Sequence, residues 1–414
     1  MNARPVAAAV TGLGVAAPNG LGTDTWWRAV LAGQSGIRPV SRFDAAQYPA
    51  RLAGEVPGFE AAEHVPARLL PQTDHMTRLA LAVAEEALSD AGAKPTGDGY
   101  DTGIVTASSV GGFEFGQREL QALWSKGGRY VSAYQSFAWF YAVNTGQISI
   151  AQGMRGPGGV LVTEQAGGLD AVAEARRQLR RGTRRMLSGG VDSALCPWGW
   201  AGYLADGRLS TSDDPARAFL PYSAHASGQV IGEGGALLVL EDAAHAEHSY
   251  GEIAGHAATF DPPSGASRLR AAAELALADA RVAPADVDVV FGDAAGVRAD
   301  DVAEAEALAG IFGPYGVPVT APKTMTGRLS AGAASLDLAA ALLALRDQVI
   351  PPTVHVGSVA DDCPVDLVTG APRPARLRTA LVLARGRGGF NSAMVVRAQQ
   401  ATAAGPSHRR EEPR

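Results

Sequence analysis

A chain of 414 residues, 46% hydrophobic and 19% charged, can build one large α/β domain or two fused halves, and its net charge of -6 argues against a nucleic-acid binder. The 50 glycines and 25 prolines are dispersed, which excludes collagen-like and low-complexity chains, and no apolar run approaches the ~18 residues of a membrane span. Cys196 and Cys363 each precede a proline and share no metal-ligand or disulfide spacing, so a reducing cytoplasm is the expected location.

The first expected strand covers Val6 to Val15 and contains Gly12-Leu13-Gly14, unlike a signal peptide. A helix follows over Met76 to Ala91, with apolar residues at helical spacing, then a short strand over Asp101 to Ala107. The order recurs further on: a strand over Glu252 to Phe260, a helix over Leu269 to Ala280 and a strand over Val287 to Phe291. Gly-punctuated apolar runs, Gly232 to Glu241 and Thr379 to Val396, close the two halves. Such alternation implies parallel or mixed sheets covered by helices. The correspondence points to a duplication, with halves 1–250 and 251–400; residues 401–414 are polar and read as a disordered tail.

Chemistry should sit at Val160 to Ala173, VLVTEQAGGLDAVA, where an apolar strand enters a small-residue turn and then a helix. That is the shape of a nucleophile elbow, whose apex faces a helix N-terminus suited to an anion. The apex is Gln165, and a carboxamide has no nucleophilic form. Three more segments complete the pattern: Asp293-Ala294-Ala295-Gly296-Val297, Lys323-Thr324-Met325-Thr326-Gly327-Arg328, and Gly386-Arg387-Gly388-Gly389-Phe390-Asn391.

Together these segments resemble the β-ketoacyl synthase family over nearly the whole chain. The resemblance implies a thiolase-like α/β fold, two duplicated halves forming a layered α-β-α-β-α sandwich. Active members carry Cys at the elbow, His in the second segment and Lys-Ser-x-x-Gly-His in the third. Here Gln165, Ala295 and Arg328 stand at those positions, and Lys323 alone is kept. This combination, with the runs Glu164 to Ala171 and Ser136 to Gly146, resembles the chain length factors, or ketosynthase β subunits, of bacterial type II aromatic polyketide synthases. Such subunits are non-catalytic partners of a ketosynthase α subunit in a heterodimer. The poly-β-ketone grows into a tunnel at their interface, and acyl groups arrive on the phosphopantetheine of an acyl carrier protein; no further cofactor, metal or membrane is implied.

By that resemblance the tunnel wall comprises Phe113, Gly116, Leu120 and Phe137, the first three at i, i+3 and i+7 on one helical face, and Arg387 takes the place of an apolar gate. Because Gly116 adds no volume and Leu120 is smaller than an aromatic, a deep tunnel and about ten ketide units, rather than about eight, are expected. The Gln165 amide is expected to satisfy nearby backbone groups, and Lys323 to sit in a structural ion pair. The basic run Arg176, Arg177, Arg180, Arg181, Arg184 and Arg185 reads first as a solvated helix end and second as a carrier-protein contact. The rival functions are a malonyl-carrier-protein decarboxylase supplying an acetyl primer, a condensing enzyme with a replacement nucleophile, and a homodimeric binding protein.

Overall fold

The computed structural model describes residues 7–95, 97–263, 265 and 267–399, so the expected tail at 401–414 lies outside the described residues. The first half runs β1 (Ala8–Ala17), α1 (His75–Asp90), β2 (Thr102–Ala107), α2 (Phe113–Lys126), β3 (Gly158–Leu161), α3 (Gly167–Arg180), β4 (Arg185–Asp192), α4 (Pro197–Ala205) and β5 (Gly234–Asp242). The second runs β6 (Gly251–Phe260), α5 (Leu269–Ala280), β7 (Val289–Phe291), α6 (Arg298–Phe312), β8 (Pro318–Thr320), α7 (Ala333–Asp347), β9 (Thr379–Gly386) and β10 (Phe390–Arg397). The last apolar run of the sequence is therefore a hairpin, turned by Gly388 and Gly389 at φ 89° and 104°.

Strand order shows the duplication directly. Outward from the centre the first half reads β1, β5, β4, β2, β3 and the second β6, β10, β9, β7, β8. In both, the two inner pairings are antiparallel and the two outer ones parallel. The halves join where β1 meets β6, with Ala8, Ala9 and Val10 opposite Ile253, Glu252 and Gly251.

Helices form the other three layers. On the outside of the first sheet, α1 lies so close to β1 that a Cβ at Gly14 would fall 2.1 Å from the Val83 carbonyl oxygen. The second sheet is covered by α5, whose Leu269, Ala273, Ala276 and Leu277 are buried. Between the sheets lie α3 and α7. Every residue from Ala333 to Leu345 is buried, the pattern of a helix with protein on all sides. A Cβ at Gly168 would come 2.6 Å from the Ser335 nitrogen, so glycine lets the two inner helices touch. Leu338 and Leu342 of α7 share one core with Leu169 and Val172 of α3; truncating such a leucine costs about 2–5 kcal/mol.

Arg176 is part of this packing. It is 7% exposed and donates to Asp279 Oδ2 and to the Ala254 carbonyl, both at 2.6 Å, tying α3 to α5 and β6. Arg177 pairs with Glu174, and Arg185 with Glu241. The basic run is thus not one solvated patch: Arg181 also pairs with Glu174, so four of its six members hold acidic partners, and Arg176 and Arg185 turn inward.

Candidate functional site

The elbow forms where β3 ends. Thr163 leaves the strand, Glu164 takes a positive φ of 53°, and a single 3-10 turn over Glu164–Ala166 leads into α3. A non-glycine residue in that region is strained and is held by its surroundings. Here Glu164 Oε2 accepts the Arg387 N–H at 2.9 Å, and Thr163 donates to Asp170 Oδ2 at 2.7 Å in the first turn of the helix. Asp170 Oδ1 in turn accepts from Ser392 at 2.8 Å and lies 3.2 Å from His256 Nε2, so both halves brace the turn.

Gln165 occupies the apex and is 4% exposed. Its carboxamide fills the buried turn between β3 and α3. Ala295 is 2% exposed, in a loop whose Asp293 and Ala294 N–H groups donate to Glu304 at 2.7 and 2.9 Å.

Beside it lies a buried charge cluster. Arg328 forms a bidentate pair with Asp293, Nη2 to Oδ1 at 2.9 Å and Nη1 to Oδ2 at 3.2 Å, and also donates to the carbonyls of Asp293 and Arg385. The Lys323 ammonium donates to the Gly292 and Asp293 carbonyls at 2.8 and 2.9 Å and sits 2.7 Å from Asp337 Oδ2. Two of its protons go to those carbonyls, and the Asp337 carboxylate supplies the counter-charge. Burial raises the Asp293 carboxyl, but Arg328 and Lys323 more than offset that and hold it below the usual carboxylate range. Burial pushes Asp192, which accepts the Ser109 and Ala331 N–H groups at 2.8 and 3.1 Å, up to about 7.

Above the cluster opens a cleft of about 440 Å³ with Glu164, Asp293 and Arg328 among its lining. It is crossed by ion pairs: Arg387 to Asp206 at 3.0 Å, Arg208 to Asp300, and Arg385 to Asp300 at 3.8 Å. The position resembling an apolar gate is therefore an exposed cation tied to the segment after α4. Chemically the cleft holds charge and its lining includes neither cysteine nor histidine, while the buried Ser109 hydroxyl at its wall has no hydrogen-bond partner among the described residues.

The residues of the other set gather around α2. Phe113 stacks on Trp198 with ring centroids 4.5 Å apart. Gly116 is buried, while Phe113 and Leu120 are half-buried. Phe137, 36% exposed, lies in the short helix Gln135–Ala138 and meets Tyr134 edge-on at 5.5 Å. The expectation that Gly116 leaves open volume is corrected here: a Cβ would meet Trp198 Cζ3 at 3.2 Å and Trp139 Cβ at 3.7 Å. Trp198 is further held by Gln117, whose Oε1 accepts its backbone N–H at 2.7 Å. Sequence reasoning missed both tryptophans, because Trp198 lies far along the chain, and Trp139 stood unremarked in a run already noted.

A model of the β-ketoacyl synthase N-terminal domain matches residues 4–246, and one of the C-terminal domain matches residues 248–357. The chain belongs to the β-ketoacyl synthase family. Within that family it is of the ketosynthase β, or chain length factor, type. It is 59% identical over 403 residues to the tetracenomycin polyketide synthase ketoacyl synthase beta subunit of Streptomyces glaucescens, covering 95% of this chain and 98% of that one. The ishigamide ketosynthase/chain length factor superposes with a TM-score of 0.88 at 25% identity, covering 96% of this chain and all of that one (100%). A type II polyketide synthase acyl-carrier protein in complex with its ketosynthase bound to the hexaketide superposes with a TM-score of 0.86 at 26% identity, covering 96% and 100%. No described helix is long and apolar enough to cross a membrane.

Proposed function

We propose that this β-ketoacyl synthase homologue acts without condensing chemistry of its own, pairing with a catalytic ketosynthase α subunit and setting the length of the polyketide by shaping a tunnel at their interface. The observation that carries this is the division of the molecule into a cleft whose cations are held in ion pairs and an aromatic face that no described residue covers. Tyr130, Trp139, Phe140 and Tyr141 are 51%, 45%, 55% and 43% exposed. Contiguous exposed aromatic surface of this kind belongs to interfaces. Strand β3 adjoins it as a sheet edge, hydrogen-bonded on one side to β2, and Val162 beyond it is 45% exposed.

On this reading Phe113, Gly116, Leu120 and Phe137 face the growing poly-β-ketone, malonyl groups arrive on a carrier protein, and the product is about a decaketide. Leu120, smaller than an aromatic, supports the long chain, since packed walls tolerate little extra volume. Arg387 does not gate an acyl group but closes a cleft of the two halves 1–250 and 251–400 that has no substrate. Primer generation by malonyl decarboxylation is disfavoured, because an enolate oxygen would need preorganised donors, and the cations beside the elbow already have acceptors.

The test is turnover. Alone with malonyl-carrier protein, the chain should release negligible carbon dioxide and no β-keto product. Co-purified with a Cys-His-His ketosynthase of the family, it should support a polyketide whose length mass spectrometry reads. Product formed by the chain in isolation would overturn the reading.

A further inference from the structure

Helix α2, which bears Phe113, Gly116 and Leu120, has no cap of its own. Its N-cap is Gly112, without a side-chain acceptor, and a Cβ there would fall 2.0 Å from the Ala138 carbonyl oxygen, so Ser, Asp or Asn cannot take its place. The cap comes instead from outside the helix. Asp74, 2% exposed, is the N-cap of α1, where Oδ1 accepts the Met76 N–H at 2.8 Å. Its Oδ2 accepts the Phe115 N–H at 2.7 Å. One carboxylate therefore closes two helix N-termini, and its charge suits the positive end of both dipoles.

We propose that Asp74 is a positioning residue for chain length: it fixes the first turn of α2, and with it Phe113 and Gly116, to the outer helix α1. This rests on the reading of α2 as a tunnel wall. Two features favour a positioning role over an ordinary cap. Phe115 is 1% exposed, so its backbone and ring together register the helix against the body of the protein. Burial also pushes the Asp74 carboxyl up to about 6, so the fold tolerates a costly ion at this point. Asn would be cheaper to bury, but it has a single acceptor oxygen and would turn an NH₂ toward the second helix.

In the pair formed with a Cys-His-His ketosynthase, Asp74→Asn is expected to raise the share of off-length polyketides about fivefold, the population change that losing one cap produces. Total ketide output and co-purification should be kept. Asp279→Asn, which breaks the Arg176 pair at α5, is the destabilised control and should leave the distribution alone. An unchanged distribution in Asp74→Asn beside a shift in Leu120→Phe overturns the positioning role and leaves the tunnel standing. No shift in either variant overturns the tunnel reading as well. Should Asp74→Asn fail to assemble, amide hydrogen exchange on the native pair decides. The N–H of a third helical residue is ordinarily without an intrahelical partner; Phe115 should nonetheless be protected as strongly as the middle of α1, and fast exchange there overturns the proposal.

Discussion

The cleft above the elbow and the face around α2 are neighbours, since Ser109 and Val110 line the first and Phe113 begins the second, yet they are built on opposite terms. In the cleft every cation has found an anion, and beside it the elbow holds a carboxamide and the neighbouring loop a methyl. On the face, aromatic rings stack on one another and still stand half in solvent. On the proposed reading, the contrast teaches that the shape of such a fold can be kept without its chemistry. A buried ion network braces the cleft beside the elbow, while the adjoining helix leaves aromatic surface exposed.

The comparison breaks most readily at Asp293. Asp293→Ala leaves Arg328, 4% exposed, without its counter-ion, and a cost of about 3–5 kcal/mol is expected in denaturant unfolding. A loss below about 1 kcal/mol would mean that the cluster does not hold the cleft together. Next comes pH. Burial raises Asp192 and Asp301 to about 7, above their ordinary value of 3.8, so these carboxyls favour the fold while protonated. Their contribution is complete below that ordinary value and is lost as pH rises through about 7. Asp192→Asn should flatten the stability profile between about pH 4 and about pH 7, and an unaltered slope would exclude Asp192 as a source.

On the face, Gly116→Phe drives a ring into Trp198 and Trp139 and should cost about 1–3 kcal/mol while shortening the product. Leu120→Phe, on the same stripe but half-buried, should shorten it with less than about 1.5 kcal/mol lost, which makes it the cleaner probe of length. The smallest effect belongs to Arg387→Ala. Its partner Asp206 lies across an exposed pair, worth about 0–1 kcal/mol, and thermal unfolding should barely move.

Much of this architecture was legible beforehand because it is local and periodic. The helix Leu269–Ala280 falls where its apolar spacing put it, and α1 and β1 are displaced by only one or two residues. The elbow was readable from a strand, a small-residue turn and a helix in succession, and the vacancy at Gln165 from side-chain chemistry alone. What stayed hidden depends on groups far apart in the chain. Nothing around Gly116 announces that Trp198 fills its hollow, and nothing around Arg176 announces Asp279. Nothing around Asp74 announces that its second oxygen turns to Phe115, forty-one residues on.

The buried helix α7 carries a consequence for how such a protein can come into being. It presents alanine and leucine to two sheets at once, and Ser335 touches Gly190 of the first half. The first repeat therefore cannot complete its core by itself during synthesis, because its apolar floor waits for a helix that belongs to the second.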